Sequence, residues 1–168
     1  MWSTGCGSLS EQPNGLPLTL LERRIFLFSA VTIDPAARKA YLETHYLVNG
    51  DTPLTLQVSI VSSVLATLYK AHRVESCAFI TACNPWSQLL DAAANTQRQV
   101  TLAAELRHRS LTFVEGIGQH PSGQWPGEAS FLVWGLSLEA AKALGIRHEQ
   151  NALIWCGLDA VPQLITLR

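Results

Sequence analysis

The chain has 168 residues, of which 48% are apolar, and its formal net charge at pH 7 is −1. A chain of this length and composition can bury a sizeable core, which excludes disordered and fibrous proteins. Because twelve Lys and Arg residues and thirteen Asp and Glu residues are mixed along the chain, no basic surface for nucleic acid or anionic lipid is expected.

The first predicted region, residues 1–33, is a loose leader rich in Gly and Ser, followed by an apolar segment. The leader has no basic start, and charged residues interrupt the apolar runs, as Glu22, Arg23 and Arg24 do before IFLFSAV. Neither a signal peptide nor a membrane span is therefore expected, and the predicted location is the cytoplasm. Residues 34–168 are predicted to form a single domain.

The first half of this domain is predicted to contain a helix start, a hairpin, a helix and a buried strand. Asp34-Pro35 is typical of a helix cap with proline at the first position, here opening a single turn. Asn49-Gly50, between YLETHYLV and LTLQVSI, predicts a tight hairpin turn because it tolerates positive φ angles. SSVLATLYKAH has the apolar spacing of a helix, and SCAFITA is typical of a short buried strand.

The second half is predicted to begin with the longest helix, over residues 85–109. Its apolar stripe is expected to consist of Leu89, Ala93, Val100 and Ala103. LTFVEGI and ASFLVWGL predict two strands, SLEAAKALG a helix that ends at Gly145, and ALIWCG a core strand before a terminal LITL. The expected fold class is α+β, a single domain with a mixed β-sheet and about three helices packed on it.

Several short motifs in these elements occur together in a known family. They are Thr81-Ala82-x-Asn84-Pro85, then Asn95 and Arg98, Trp125-x-x-Glu128-x-Ser130-Phe131-Leu132-Val133, and Gln150-Asn151-Ala152. As a set they resemble the bacterial family known as domain of unknown function 3293, over roughly residues 36–168. That family has no established reaction. The resemblance therefore implies a shared fold and a shared polar site, and it carries over no catalytic role.

The dipeptide Asn84-Pro85 has two interpretations. Asn is a strong N-cap residue and Pro a favoured first helical residue, so it is explained by a helix cap worth about 1 kcal/mol. Alternatively it belongs to a polar site, because Asp91, Asn95 and Arg98 fall on one face of the predicted helix that follows. Asn and Arg offer the directional hydrogen bonds that suit a fixed polar partner.

A second polar cluster is predicted on a strand. In GEASFLVWG the side chains alternate, so Glu128 and Ser130 face one side while Phe131 and Val133 face the core on the other. A buried Glu needs a partner, and Arg98 is the most natural one in this chain. Both a structural ion pair between sheet and helix and a ligand site are consistent with this pattern.

Two loops carry weaker candidates. Gln150-Asn151 precedes the last core strand, where a loop either presents its amides over the sheet edge or simply makes a turn. His120 with Glu115 and Glu128 is a candidate acid/base set, and an exposed loop histidine is the simpler interpretation. The glycines of GIGQHPSGQWPG do not predict a nucleotide site, because no helix follows them.

The cysteines do not predict a metal site. Cys6, Cys77, Cys83 and Cys156 form no CxxC pair and no short Cys/His spacing, whereas zinc usually takes two ligands from one tight turn. Reduced and mostly buried thiols are expected. Cys83 is the one candidate for reactivity, because a helix start beside it would lower the pKa of its thiol. No metal or other cofactor is predicted.

Two function classes follow. The first is a binding or accessory domain whose polar pocket holds a small polar ligand or a partner's peptide. Its candidate binding residues are Asn84, Asn95, Arg98, Glu128, Ser130 and Gln150. The alternative is a metal-independent hydrolase or transferase in which Glu128 is the general base while Arg98 and Asn84 hold the substrate. The binding domain is favoured, because no nucleophile with an adjacent base is visible in the sequence.

Overall fold

A computed structural model of the protein describes residues 33–123 and 126–168. The predicted leader and nearly all of the apolar segment after it lie outside these residues, as do Cys6 and Trp125. The domain boundary at residue 33 therefore stays a prediction.

Within the described ranges the chain forms four α-helices and seven β-strands. The helices are α1 (Pro35–Glu43), α2 (Ser63–His72), α3 (Ala92–His108) and α4 (Leu138–Arg147). The strands are β1 (His45–Val48), β2 (Leu54–Leu56), β3 (Cys77–Ile80), β4 (Phe113–Gln119), β5 (Glu128–Trp134), β6 (Ala152–Cys156) and β7 (Pro162–Thr166). A single 3₁₀ turn, Pro85–Ser87, lies between β3 and α3. The predicted α+β class is confirmed.

The strands form one sheet in the order β2-β1-β4-β5-β3-β6-β7. Every neighbouring pair is antiparallel, so the expectation of a mixed sheet is wrong. The connection from β5 through α4 to β6 does yield two strands that run in the same direction. However, β3 lies between them and pairs antiparallel with both.

Both faces of the sheet are covered. On one face, Leu65 and Tyr69 of α2 pack in a cluster with Leu132 of β5. On the other face, Leu102 of α3 packs in a cluster with Val133 of β5. The prediction that Val133 belongs to the core is confirmed, but Leu132 on the opposite side of the strand is buried as well. The face that carries Leu132 is called the α2 face below.

The predicted hairpin of β1 and β2 is confirmed, but its turn is not the predicted one. Neither Asn49 nor Gly50 has a positive φ angle, and the connection runs from residue 49 to residue 53. The Asn49 N–H donates to the carbonyl of Glu115 on β4 at 2.8 Å. Asn49 therefore continues the pairing of β1 with β4, which a tight two-residue turn would not allow.

The longest helix begins later than predicted. α3 starts at Ala92, and the Asp91 side chain caps it by accepting a hydrogen bond from the Ala94 N–H at 2.7 Å. Leu89 and Val100, two residues of the predicted apolar stripe, are 84% and 54% exposed, and Ala93 is exposed as well, so the predicted stripe is wrong except at Ala103. The buried residues of α3 are instead Gln99, Leu102, Ala103 and Leu106.

Two other helix bounds also differ from the prediction. α1 has nine residues rather than a single turn. α4 continues through Gly145 to Arg147. A Cβ atom on Gly145 would lie 2.5 Å from Leu167 Cδ1. This glycine therefore permits close packing against the chain's last residues, instead of ending the helix.

Two glycines of β4 have different surroundings, which leads to a testable difference. A Cβ on Gly116 would lie 2.6 Å from both the Leu47 carbonyl oxygen and Phe79 Cε2, whereas the nearest atom to a Cβ on Gly118 would be 3.7 Å away. We expect Gly116→Ala to lower the free energy of unfolding by about 1–3 kcal/mol through overpacking. Gly118→Ala should change it by less than about 0.5 kcal/mol. Urea unfolding of both variants measures this, and equal losses would contradict the difference.

Candidate functional site

A cavity of about 420 Å³ lies between α1 and the α2 face of the sheet. Strand side chains form its base, and these are Tyr46, Phe79, Ser130, Ile154 and Leu164. Helix α1 and its C-cap contribute Ala37, Ala40, Tyr41 and Thr44. Further lining residues come from three loops and include Thr81, Asn84, Ser87, Leu89, His120, Pro126, Gln150 and Asn151. A cavity of this size and mixed polarity is typical of a small-molecule site.

Asn84 links three parts of the cavity wall. Its Nδ2 donates to Glu128 Oε1 at 2.6 Å. Its Oδ1 accepts from the Leu90 N–H and from Asn95 Nδ2, both at 3.0 Å. Its own N–H donates to Asn95 Oδ1 at 2.8 Å. The amide orientation is therefore determined by its partners. The interpretation of Asn84 as the cap of the long helix is wrong, since Asp91 caps that helix.

Glu128 is half-buried at the start of β5 and lines the cavity. Burial raises the pKa of its carboxyl group, and the hydrogen bond from Asn84 opposes that rise. Its charge in turn contributes to the raised pKa values of Tyr41 and Tyr46, for which burial is the larger cause. The Glu128 carboxylate, with an amide as its partner, therefore acts on the pKa values of two tyrosines that line the same cavity.

The predicted ion pair of Arg98 with Glu128 is wrong. Arg98 Nε donates to the Ala82 carbonyl at 2.6 Å and its NH2 to the His148 carbonyl at 2.9 Å, while NH1 lies 3.1 Å from Glu149 Oε2. Arg98 thus holds the end of β3 to the loop before β6. A guanidinium donates in several directions at once, so it satisfies backbone carbonyls that the sequence pattern does not identify.

Gln150 also ties these loops together. Its buried side chain donates from Nε2 to the carbonyls of Cys83 and His148, at 3.0 and 3.1 Å. Close by, the Trp86 N–H donates to the Glu149 carbonyl at 2.7 Å. The loop before β6 therefore supports the loop after β3 along one side of the cavity.

Of the six predicted binding residues, the structure brings four to the cavity. Asn84, Glu128, Ser130 and Gln150 line it. Asn95 and Arg98 do not line it. Asn95 holds the lining residue Asn84, while Arg98 holds two neighbouring loops together through the carbonyls of Ala82 and His148. The Ser130 hydroxyl is buried and donates to the Glu128 carbonyl at 3.0 Å.

The backbone of the loop after β3 adopts a conformation that L-residues rarely use. Asn84, Trp86 and Ser87 have φ angles of 48°, 51° and 60°, all in the left-handed region. Such conformations cost on the order of 1–3 kcal/mol each for residues other than glycine and cluster at functional sites. The hydrogen bonds of Asn84 and Trp86 described above hold this strained loop at the cavity.

The candidate acid/base set is only partly assembled. His120 and Glu128 both line the cavity, but Glu115 is exposed and pairs across the strands with Phe131, on the opposite face of the sheet. His120 Nε2 lies 3.4 Å from Glu43 Oε2 of α1. The histidine therefore has a carboxylate partner that is not part of the predicted set.

The described cysteines are free and buried. Burial raises the pKa of the Cys83 thiol, although a hydrogen bond with Thr81 and the charge of Arg98 oppose this rise. The suggestion that a helix start lowers this pKa is wrong, because α3 begins only at Ala92. A thiol with a raised pKa is a poor nucleophile.

The aromatic and glycine residues of the cavity were not among the predicted site residues. Tyr41, Tyr46, Phe79 and Gly118 all line it, and the Tyr46 and Phe79 rings meet edge to face at 5.3 Å. Their local pattern is that of ordinary helix and strand residues. Only Gly118 carried a signal, since a glycine inside a strand often marks a place where a ligand or another backbone comes close.

The described ranges offer neither a metal site nor a membrane-spanning helix. They contain no group of three or more His, Cys, Asp or Glu side chains arranged to hold a metal ion. None of their helices has the length and apolar character needed to cross a membrane.

One family model matches the part of the chain that contains most of this site. No significant match was found among the curated proteins or among the solved structures. Residues 80–153 match the model of a family described as "Protein of unknown function (DUF3293)". The matched segment runs from the end of β3 to the start of β6 and contains all six predicted binding residues. The resemblance to this family is therefore confirmed over residues 80–153, a shorter segment than the predicted 36–168.

Proposed function

We propose that the protein is a binding or accessory domain of the bacterial cytoplasm that holds a small ligand in the cavity between α1 and the sheet. Asn84, Glu128, Ser130 and Gln150 provide its polar contacts. The observation that carries this proposal is the Asn84–Glu128 pair at 2.6 Å on the cavity wall. A half-buried carboxylate beside a strained loop is costly to maintain, and such features concentrate where a protein binds or reacts.

The alternative, a hydrolase or transferase that uses Glu128 as general base, receives less support. It needs Arg98 to hold the substrate, but Arg98 does not line the cavity and is engaged with two carbonyls and Glu149. Asn84 and Glu128 remain as candidate groups. A general base requires a bound water or hydroxyl within reach. The described hydrogen bond of Glu128 to Asn84 favours a role in holding a ligand over a role in proton transfer.

Glu128→Gln tests whether this carboxylate belongs to a site rather than to the scaffold. Because the folded-state pKa is raised, the charge destabilises the fold above the unfolded-state pKa of about 4.3. We expect the variant to be as stable as the wild type at pH 7 or more stable by up to about 1 kcal/mol. Near pH 4, where the carboxyl is largely protonated in both states, the difference should disappear. Urea unfolding at both pH values measures this.

The matched control is Glu115→Gln, which removes an exposed carboxylate from the neighbouring strand. Its stability should change by less than about 0.5 kcal/mol at either pH. A loss of about 3 kcal/mol or more in Glu128→Gln at pH 7 would show a scaffold role for this charge and count against the proposed site.

Filling the cavity provides the direct test of binding. Gly118 lines the cavity and has room for a side chain, so Gly118→Leu should fill part of it. A thermal-shift screen of metabolites should find compounds that raise the unfolding midpoint of the wild type, because a ligand that binds only the folded state stabilises it. These shifts should be lost in Gly118→Leu and retained in Ala129→Leu, which alters an exposed position on the other face of β5. Shifts that survive in Gly118→Leu would place binding elsewhere.

A further inference from the structure

The polar side chains that line the cavity direct many of their hydrogen-bond donors toward the protein itself. The Thr81 hydroxyl donates to the Ala129 carbonyl at 2.7 Å, and the Thr44 hydroxyl to the Ala40 carbonyl at 2.8 Å. The Tyr46 hydroxyl likewise donates to the carbonyl of Tyr41 at 2.7 Å. Each hydroxyl has one hydrogen. These groups therefore face a ligand as acceptors only.

The amide of Gln150 follows the same rule. Its two N–H hydrogens are used by the carbonyls of Cys83 and His148. Among the described residues, no partner contacts its Oε1. The free end of this buried side chain is consequently an acceptor at the cavity.

Glu128 adds a negative charge to these acceptors. Its Oε1 accepts from Asn84, and no described residue donates to its Oε2. It is the one Asp, Glu, Lys or Arg residue among the described residues that line the cavity. His120 also lines it, and its Nε2 lies 3.4 Å from the carboxylate of Glu43. An anionic ligand would therefore meet acceptors and a carboxylate without a lysine or arginine to offset them.

Much of the remaining lining is apolar, beside the polar residues Tyr41, Ser87 and Asn151. Tyr46, Phe79, Ile154 and Leu164 lie along its base, and the two aromatic rings meet edge to face. Aromatic faces attract cations as well as apolar groups. The lining thus combines acceptors and one carboxylate with apolar and aromatic side chains.

We propose that the ligand of this cavity is an organic amine, with its ammonium group hydrogen-bonded to Glu128 Oε2 and Gln150 Oε1 and its apolar body against Tyr46 and Phe79. This inference rests on the proposed function, since it assigns the ligand class of the same site. The ligand is then a small cation rather than an unspecified polar compound or peptide. Phosphates and carboxylates are excluded, because no lysine or arginine is among the described residues that line the cavity.

The test compares probes that share an apolar body and differ in charge. The amines are 2-phenylethylamine, tryptamine and cyclohexylmethylamine. Their counterparts are the matching carboxylates and neutral alcohols. Binding to the full chain at pH 7 is measured by calorimetry and by chemical-shift changes in nitrogen-labelled protein. At least one amine should bind at least about tenfold more tightly than its carboxylate, a difference of about 1.4 kcal/mol.

Two variants locate the charge and the body of the ligand. Glu128→Gln should weaken amine binding by about tenfold or more and change the binding of the matching alcohol by less than about twofold. Gly118→Leu should abolish binding of both. Ala129→Leu should leave the binding of both compounds unchanged. Unfolding curves of all three variants verify that each one is folded.

The outcomes separate the two proposals. If alcohols or carboxylates bind as tightly as amines and Gly118→Leu abolishes that binding, the cavity is a binding site but the amine inference is wrong. If no amine binds, while metabolites still raise the unfolding midpoint of the wild type but not that of Gly118→Leu, the amine inference is wrong and the proposed function is not. Amine binding that persists in Gly118→Leu overturns the amine inference, because that binding is outside the cavity. If no compound raises the unfolding midpoint of the wild type more than that of Gly118→Leu, the proposed function is overturned as well.

Discussion

Replacing Arg98 by Leu is expected to lower the free energy of unfolding by about 3 kcal/mol. The side chain is 26% exposed and its guanidinium donates to the carbonyls of Ala82 and His148. Both carbonyls would lose a charged donor. The His148 carbonyl would keep the hydrogen bond from Gln150, but the buried Ala82 carbonyl would lose its described partner, and a buried acceptor without a partner is costly. The ion pair with Glu149 contributes less, because the Glu149 side chain is 46% exposed and solvent screens the pair. Urea unfolding at pH 7 measures the loss.

Two controls sharpen this prediction. Lys142→Ala breaks an exposed pair with Glu139 on α4 and should cost less than about 0.5 kcal/mol. Arg98→Lys keeps the charge but has no planar fork with which to reach all three partners, so its stability should lie between those of the wild type and Arg98→Leu. A full rescue by lysine would show that charge alone, rather than the geometry of the hydrogen bonds, stabilises this connection.

Glu105→Gln is the second substitution with a large expected effect. The side chain of Glu105 is 17% exposed, and its oxygens lie 2.9 Å from His148 Nε2, 2.8 Å from Arg147 and 2.6 Å from Arg109. Burial acts to raise the pKa of Glu105, but the hydrogen bond with His148 and the two arginine charges outweigh it, and the pKa is lowered. The carboxylate therefore stabilises the contact between α3 and the C-terminal end of α4. Its loss should lower the free energy of unfolding by about 2 kcal/mol at pH 7.

The pH dependence provides the decisive measurement for Glu105. Because its folded-state pKa is depressed, its stabilising effect is present above the unfolded-state pKa of about 4.3 and is lost as the pH falls through the folded-state pKa. Wild type and Glu105→Gln should therefore converge in urea unfolding as the pH is lowered from 7 toward 3. Glu139→Gln, at an 81% exposed side chain, should show little effect throughout. A loss in Glu105→Gln that is independent of pH would point to packing rather than charge.

Glu105 and Glu128 illustrate how the environment shifts the pKa values of two carboxyl groups of one chain in opposite directions. Glu105 has cationic partners, so its pKa is lowered and its charge stabilises the fold. Glu128 has an amide partner and no cationic one among the described residues; burial raises its pKa, so its charge is held at a cost. Removing the charge should therefore reduce stability at pH 7 in the first case and preserve or increase it in the second. Measured opposite behaviour would support the proposal that Glu128, rather than Glu105, is the carboxylate of a site.

Local patterns were sufficient for most of the elements. The helix α2, the strand β3 and the strands of both hairpins could be predicted, because apolar periodicity and turn residues act over a few neighbouring positions. The polar motif residues that line the cavity, Asn84, Glu128, Ser130 and Gln150, could also be selected from the sequence. The helix cap was assigned to Asn84 instead of Asp91, because both are strong N-cap residues and the sequence does not show which one has a side chain free to cap.

The partners of these residues were decided by the tertiary structure. Asn84 and Glu128 are 44 positions apart, and Gln150 and Cys83 are 67 apart, so their meeting depends on the order of strands in the sheet. By inserting β3 between β5 and β6, the fold brings the ends of these strands together and makes the sheet antiparallel throughout. The sequence by itself therefore determined which polar residues to consider and which segments are helices or strands. Only the tertiary structure decided that Arg98 hydrogen-bonds to backbone carbonyls and that Glu128 hydrogen-bonds to Asn84. The reason is that long-range hydrogen bonding depends on spatial neighbours that no local pattern encodes.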